Sequence, residues 1–184
     1  MPLFVLTTFA ALTLGTAPAP SSDSALTRMN ATLETSSGDR ATLTSLITKN
    51  TVVFYEDRDS TTLNQHVKDA LIERGKAKGM LDAVSVVAIA NVKDWNWFPA
   101  RNFVLKAVRD IEAKVHIPIY LDFTGGMTLP PWNLPGKTST VVVMSPQAQP
   151  LLQFKGRLSD AEVEKLFSML EQLTTAPPPA GEAP

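Results

Sequence analysis

Three carboxylates crowd one short stretch of the chain: Glu56, Asp57 and Asp59 fall within four positions of "VVFYEDRDSTTLNQH", residues 52–66. Carboxylates this close together could bind a cation or carry out acid–base chemistry. The spacing does not fit a Ca²⁺ loop, which needs alternating ligands, a central Gly and a Glu at its twelfth position. An ordinary structural account competes with the chemical one. Acidic residues just ahead of a helix cap it and meet its dipole, and Arg58 in their midst offsets their charge. His66 and His116 stand in neither an H-x-x-x-H nor an H-E-x-x-H pattern, so they read as surface or satisfied structural histidines.

A second group of residues suits recognition rather than reaction. In "KDWNWFPA", residues 93–100, Trp95, Trp97 and Phe98 cluster between a predicted strand and a predicted helix, at the sheet end where α/β folds place ligands. They could equally cover the end of the core, Trp95 and Trp97 on one side and Phe98 on the other. Trp132, in the proline-stiffened "LPPWNLPG", is placed near Ser139 on the same surface. "PGKTST" resembles the end of a phosphate-binding loop, but Pro131 occupies the place of the first glycine and a strand follows, which excludes that reading. No G-x-S-x-G nucleophile elbow occurs.

Composition narrows the classes further. The 184 residues contain no cysteine, which excludes a disulfide framework, thiolate zinc sites and dithiol chemistry run by the protein itself. Lys and Arg number 17 against 18 Asp and Glu, so no overall field draws the chain to nucleic acid or to an anionic membrane. With 44% hydrophobic residues it can build one ordinary domain, with little left for a second.

The ends differ from the middle. Residues 1–19 hold an apolar run from Leu3 to Leu14 and then Ala17-Pro18-Ala19, the pattern of a secretory signal peptide, although no Lys or Arg precedes the run. The run is too short to span a bilayer comfortably, so no stable membrane insertion is expected once it is removed. A periplasmic or secreted location follows, with a cytoplasmic one as the alternative. Residues 20–30 read as a flexible leader, and the Pro/Ala-rich 174–184 as a disordered tail. Residues 31–173 are left as the folded unit.

Within that unit the pattern alternates between strand and helix. Residues 32–43 predict a hairpin turning at Gly38 and Asp39. "TVVFY" predicts a strand buried on both faces. Leu63, Val67, Ala70 and Leu71 mark a helix from about Ser60 to Arg74, with Gly75 as its stop. "AVSVVAIANV" is a second buried strand. Val104, Ala107, Val108 and Ile111 mark a helix opening after Pro99. "IPIYLDF" gives a further strand, and "STVVVM" and "PLLQF" an antiparallel hairpin. The last helix opens on a capping box of Ser159 and Glu162 with a Leu158–Val163 staple, and buries Val163, Leu166, Phe167 and Leu170. This order predicts an α/β mixed sheet flanked by helices.

On "ATLETSSGDRATLTSLITKNTVVFYEDRDS" and "IPIYLDFTGGMTLPPWNLPGKTSTVVVMSPQAQPLLQFKGRLSDAEVEKLF" the chain resembles the thioredoxin-like fold, in the version with an N-terminal β-hairpin found in exported TlpA- and ResA-type thiol-disulfide proteins. Those proteins carry C-x-x-C after the first core strand; the resemblance sets Asp59, Ser60, Thr61 and Thr62 at these positions. It sets Ser139, or Thr138 in a register one residue off, where the family has a cis-proline. A cis bond before a non-proline residue costs about 2.5–4 kcal/mol, so a trans peptide is expected there. The loop "DRDSTTLN", "IYLDFTGGMTLPPWNL" and "FKGRLSDAEVEKLFSMLEQL" are most similar to the YtfJ-like exported proteins, which lack the dithiol.

The expectation is a redox-inactive binding or accessory protein of the cell envelope that meets a protein partner or a small ligand and needs no cofactor. Its candidate binding residues are Glu56, Asp57, Asp59, Thr62, Trp95, Trp97, Phe98, Trp132 and Ser139. The alternative is an enzyme or metal-binding protein using the Glu56/Asp57/Asp59 loop.

Overall fold

The computed structural model describes residues 31–115 and 117–175. The leader at 1–19, the segment 20–30, His116 and residues 176–184 of the expected tail lie outside the described residues.

The strands are β1 (Thr32–Glu34), β2 (Arg40–Thr42), β3 (Thr51–Glu56), β4 (Ser85–Asn91), β5 (Ile119–Asp122), β6 (Thr140–Met144) and β7 (Pro150–Lys155). The helices are α1 (Leu43–Leu46), α2 (Gln65–Ala77), α3 (Met80–Ala83), α4 (Ala100–Val115) and α5 (Asp160–Thr175). All seven strands form one sheet in the order β2-β1-β5-β4-β3-β6-β7. β3, β4 and β5 run parallel, as strands joined through helices must; the hairpins at either edge are antiparallel. The carboxyl ends of β3 and β4 therefore open side by side, at Glu56 and Asn91.

β3 is buried along its whole length, as its continuous apolar run requires. Its side chains alternate between two cores. Val53 and Tyr55 join Leu33, Leu43, Ile89, Met127, Trp132 and Leu134 on one face. Val52 and Phe54 meet Val67, Leu71, Val163, Leu166, Phe167 and Leu170 from α2 and α5 on the other. α4 lies on this second face, further along the sheet, where Val104, Leu105 and Val108 pack on Leu121 and Phe123.

Four local details differ from the sequence expectation. α2 starts at Gln65, five residues later than expected, because residues 57–64 wind through successive tight turns: Ser60 N donates to Asp57 O (3.2 Å), Leu63 N to Ser60 O (3.0 Å) and Gln65 N to Thr62 O (3.3 Å). Gly75 does not stop the helix. It is buried inside α2, where a Cβ would stand 3.1 Å from the Leu81 side chain, and the chain turns instead at Gly79, with φ +65. Ile111 is not on the buried face of α4; it is 46% exposed. At the other end of the chain, α5 continues through Thr174 and Thr175, which the sequence reading gave to the tail.

Candidate functional site

The loop after β3 is held by a reciprocal pair. Asp57 Oδ1 accepts from Ser60 N at 3.0 Å, and Ser60 Oγ accepts from Asp57 N at 3.0 Å. Such local side-chain bonds compete directly with helix formation, which is why Asp59 to Thr62 lie in a turn and not on a helix N-terminus. Lys68 reaches back from α2 to Thr61 O (2.8 Å), and Arg157 to Leu63 O (3.2 Å).

Beneath this loop lies a closed polar network. Glu56 is turned inward, accepting from Lys68 Nζ at 2.6 Å and from Ser139 Oγ at 2.8 Å. Asn64 is fully buried: its Nδ2 donates to Ser139 Oγ and to Gly156 O, both at 2.8 Å, and its Oδ1 accepts from Leu158 N at 2.9 Å. The peptide before Ser139 is trans. Buried polar groups are tolerated when every one is paired, and these are.

Beside the network an open cleft of about 820 Å³ is lined by Asp57, Arg58, Asp59, Asn91, Lys93, Asp94, Trp95, Trp97, Gly136 and Lys137. Trp97 is 58% exposed yet its orientation is set, since its indole N–H donates to Asp94 O at 3.2 Å. Trp95 N donates to Val92 O at 2.9 Å, and Arg101 bonds Asn96 Oδ1 at 2.8 Å, so the aromatic loop is braced at both ends. The lining has no net charge: Arg58, Lys93 and Lys137 balance Asp57, Asp59 and Asp94.

The back wall rests on Asp122, a fully buried carboxylate that accepts from Tyr55 Oη (3.1 Å), Thr124 Oγ1 (3.1 Å), Gly126 N (3.0 Å) and Met127 N (3.0 Å). Burial, and after it the charge and hydrogen bond of Asp122, push the Tyr55 phenol far above its ordinary range. Asp122 thereby fixes the turn holding Gly125. That residue sits at φ +71, and a Cβ on it would fall 3.0 Å from Lys93 Cδ.

The sequence-derived candidates separate accordingly. Asp57, Asp59, Trp95 and Trp97 meet at the cleft. Glu56 and Ser139 do not; they belong to the sealed network, where packing leaves them no surface to offer. Trp132 is a core residue with its indole nitrogen buried and unpartnered among the described residues. Phe98 is 83% exposed and Thr62 is exposed, and neither lines the cleft. Because Glu56 faces inward, it is separated from Asp57 and Asp59 of the alternative reading, and no three His, Asp or Glu among the described residues converge as metal ligands. His66 is half-buried, its Nε2 3.1 Å from Leu158 O.

Sequence reasoning missed Asn91, Lys93, Asp94, Gly136 and Lys137. Asn91 carried a usable signal, being the polar residue that ends an otherwise apolar parallel strand.

No protein-family model matches the chain, and no curated protein matches it. Solved structures do. The chain is similar to a thiol:disulfide interchange protein, DsbE, of Chlorobium tepidum, with 14% identity, TM-score 0.55, and 78% of this chain and 92% of that one covered. It is similar to BsSco, a member of the Sco family of cytochrome c oxidase assembly proteins, with 13% identity, TM-score 0.56 and coverage of 80% and 93%. A secreted disulfide oxidoreductase of Mycobacterium tuberculosis matches at 17% identity and TM-score 0.52, over 79% and 98%. The fold is thus that of the thioredoxin-like proteins, in the version with an added N-terminal hairpin. In this chain the fold holds no cysteine.

Proposed function

We propose that this protein is a redox-inactive, thioredoxin-like binding protein of the cell envelope, and that it captures a small ligand or a protein partner in the cleft between the Asp57–Asp59 loop and the Trp95–Trp97 loop. One observation carries the reading. At a single end of the sheet, the loop after β3 is closed by hydrogen bonds and its network is sealed, while the neighbouring cleft stays open, with indole rings and charged heads lining it. Rigid aromatic surfaces beside convergent polar groups are the ordinary composition of a recognition site.

Export is supported by the apolar leader and by the secreted oxidoreductase among similar structures. No helix among the described residues is long and apolar enough to cross a membrane.

Two experiments test the reading. In an insulin-reduction assay with dithiothreitol the protein should not accelerate turbidity, and clear turnover would remove the redox-inactive part. A thermal-shift screen of envelope-fraction small molecules and peptides should give binders to the wild type that Trp95→Ala/Trp97→Ala loses while keeping its own melting temperature. Binders retained by that variant would place recognition elsewhere.

A further inference from the structure

Within the cleft, the Asn91–Lys93–Gly136 corner is built differently from its surroundings. Asn91 is only 8% exposed, yet it lines the cleft. Its Oδ1 takes the Lys93 backbone N–H at 3.4 Å, which turns the Nδ2 donor outward, toward Gly136. A Cβ at Gly136 would lie 3.2 Å from Asn91 Nδ2 and 4.0 Å from Lys93 Nζ. The missing side chain therefore leaves a notch onto which an amide N–H and an ammonium converge. Among the described residues nothing accepts a hydrogen bond from either group. The Lys93 stem passes close to Gly125, where a Cβ would fall 3.0 Å from its Cδ, so the absence of a side chain there leaves room for the stem on its way to the notch.

Two donors, one of them cationic, ask for an anionic acceptor, since charge-assisted bonds are roughly twice as strong as neutral ones. The rest of the lining limits its charge. Asp57, Asp59 and Asp94 cancel the three cations and would repel a polyanion, while Trp95 and Trp97 offer flat apolar surface.

We propose that the Asn91–Lys93–Gly136 corner receives the carboxylate of a small organic acid whose flat apolar body lies against Trp95 and Trp97. The inference rests on the cleft reading above and gives it a ligand class.

The test uses the full ¹⁵N-labelled chain titrated with benzoate and, separately, with its neutral isostere benzamide. Benzoate should shift the Asn91 side-chain amide and the Trp95 and Trp97 indole N–H signals saturably, and benzamide should bind at least about tenfold more weakly. Lys93→Met keeps the stem against Gly125 while removing the charge, and should lose that same factor. Gly136→Ala, whose Cβ would fill the notch, should weaken benzoate binding without changing the rest of the spectrum. Equal binding of benzamide, an unshifted Asn91 signal, or Lys93→Met indistinguishable from wild type would each overturn the assignment. Should benzoate fail while Trp95→Ala/Trp97→Ala still abolishes binders in the thermal-shift screen, the carboxylate falls and the cleft stands. If the screen fails too, both fall.

Discussion

Two polar regions share the carboxyl ends of β3 and β4 and have opposite fates. Around Asn64, a buried amide satisfies three neighbours at once, and Glu56 uses both oxygens. Around Asn91, another buried amide leaves its Nδ2 unused among the described residues, at the mouth of an open cleft. The same chemical group is mortar in one place and exposed brickwork in the other. An unpaired buried donor costs about 1–3 kcal/mol; the first region avoids that cost by pairing its groups inside the protein, whereas the Asn91 Nδ2 opens on the cleft and stays available to solvent or a ligand.

Breaking the first region should hurt most. Asn64→Leu strands Leu158 N–H and Gly156 C=O and removes one of the two bonds of the Ser139 hydroxyl, and urea denaturation should show a loss of about 3 kcal/mol or more. A loss under about 1 kcal/mol would mean the network is not what holds the loop. Glu56→Gln keeps the shape but weakens the bond with Lys68, and about 2 kcal/mol should go.

Tyr55→Phe tests the support behind the cleft, and should cost about 1 kcal/mol at neutral pH. Its signature is in the pH dependence. The folded phenol holds its proton above the ordinary value of about 10, so stability is whole below that pH. It declines as pH climbs further, because the unfolded chain then releases a proton that the folded one keeps. Denaturation midpoints measured from pH 8 to 11 should show this decline in the wild type and much less of it in Tyr55→Phe.

The smallest effect belongs to the second region. Lys93→Met should alter stability by no more than about 0.5 kcal/mol, as befits a head group without a partner among the described residues. A large loss would erase the distinction between the two regions.

Much of the fold was legible because its signals are local. The apolar run of β3 and the Ser159–Glu162 box opening α5 each specify their element without help from elsewhere. The start of α2 was not legible by periodicity, since the Asp57–Ser60 pair diverts the backbone into turns that hydrophobic spacing does not register. Gly75 misleads for a different reason: whether a helical glycine ends the helix or admits a neighbour depends on Leu81 folding back against it. Periodicity on α4 identified an apolar residue at 111 but could not say which apolar side meets the sheet. Of the site, the Asp57, Asp59, Trp95 and Trp97 positions were readable as loop chemistry. Glu56 and Ser139 needed the tertiary fold to reveal that they face inward, and Trp132 to reveal that it belongs to the core.

The bonds from Asn64 to Gly156 and Leu158 cross 92 and 94 positions of sequence. A chain growing from its amino end can pair β3 with β4 long before either of those partners exists. The Asp57–Ser60 pair can shape the turn locally, but the Asn64 clamp beneath it waits until β6, β7 and the entry to α5 have closed on the sheet. The last clamp on this turn is thus supplied by the carboxyl-terminal part of the fold and not by the residues that line the cleft.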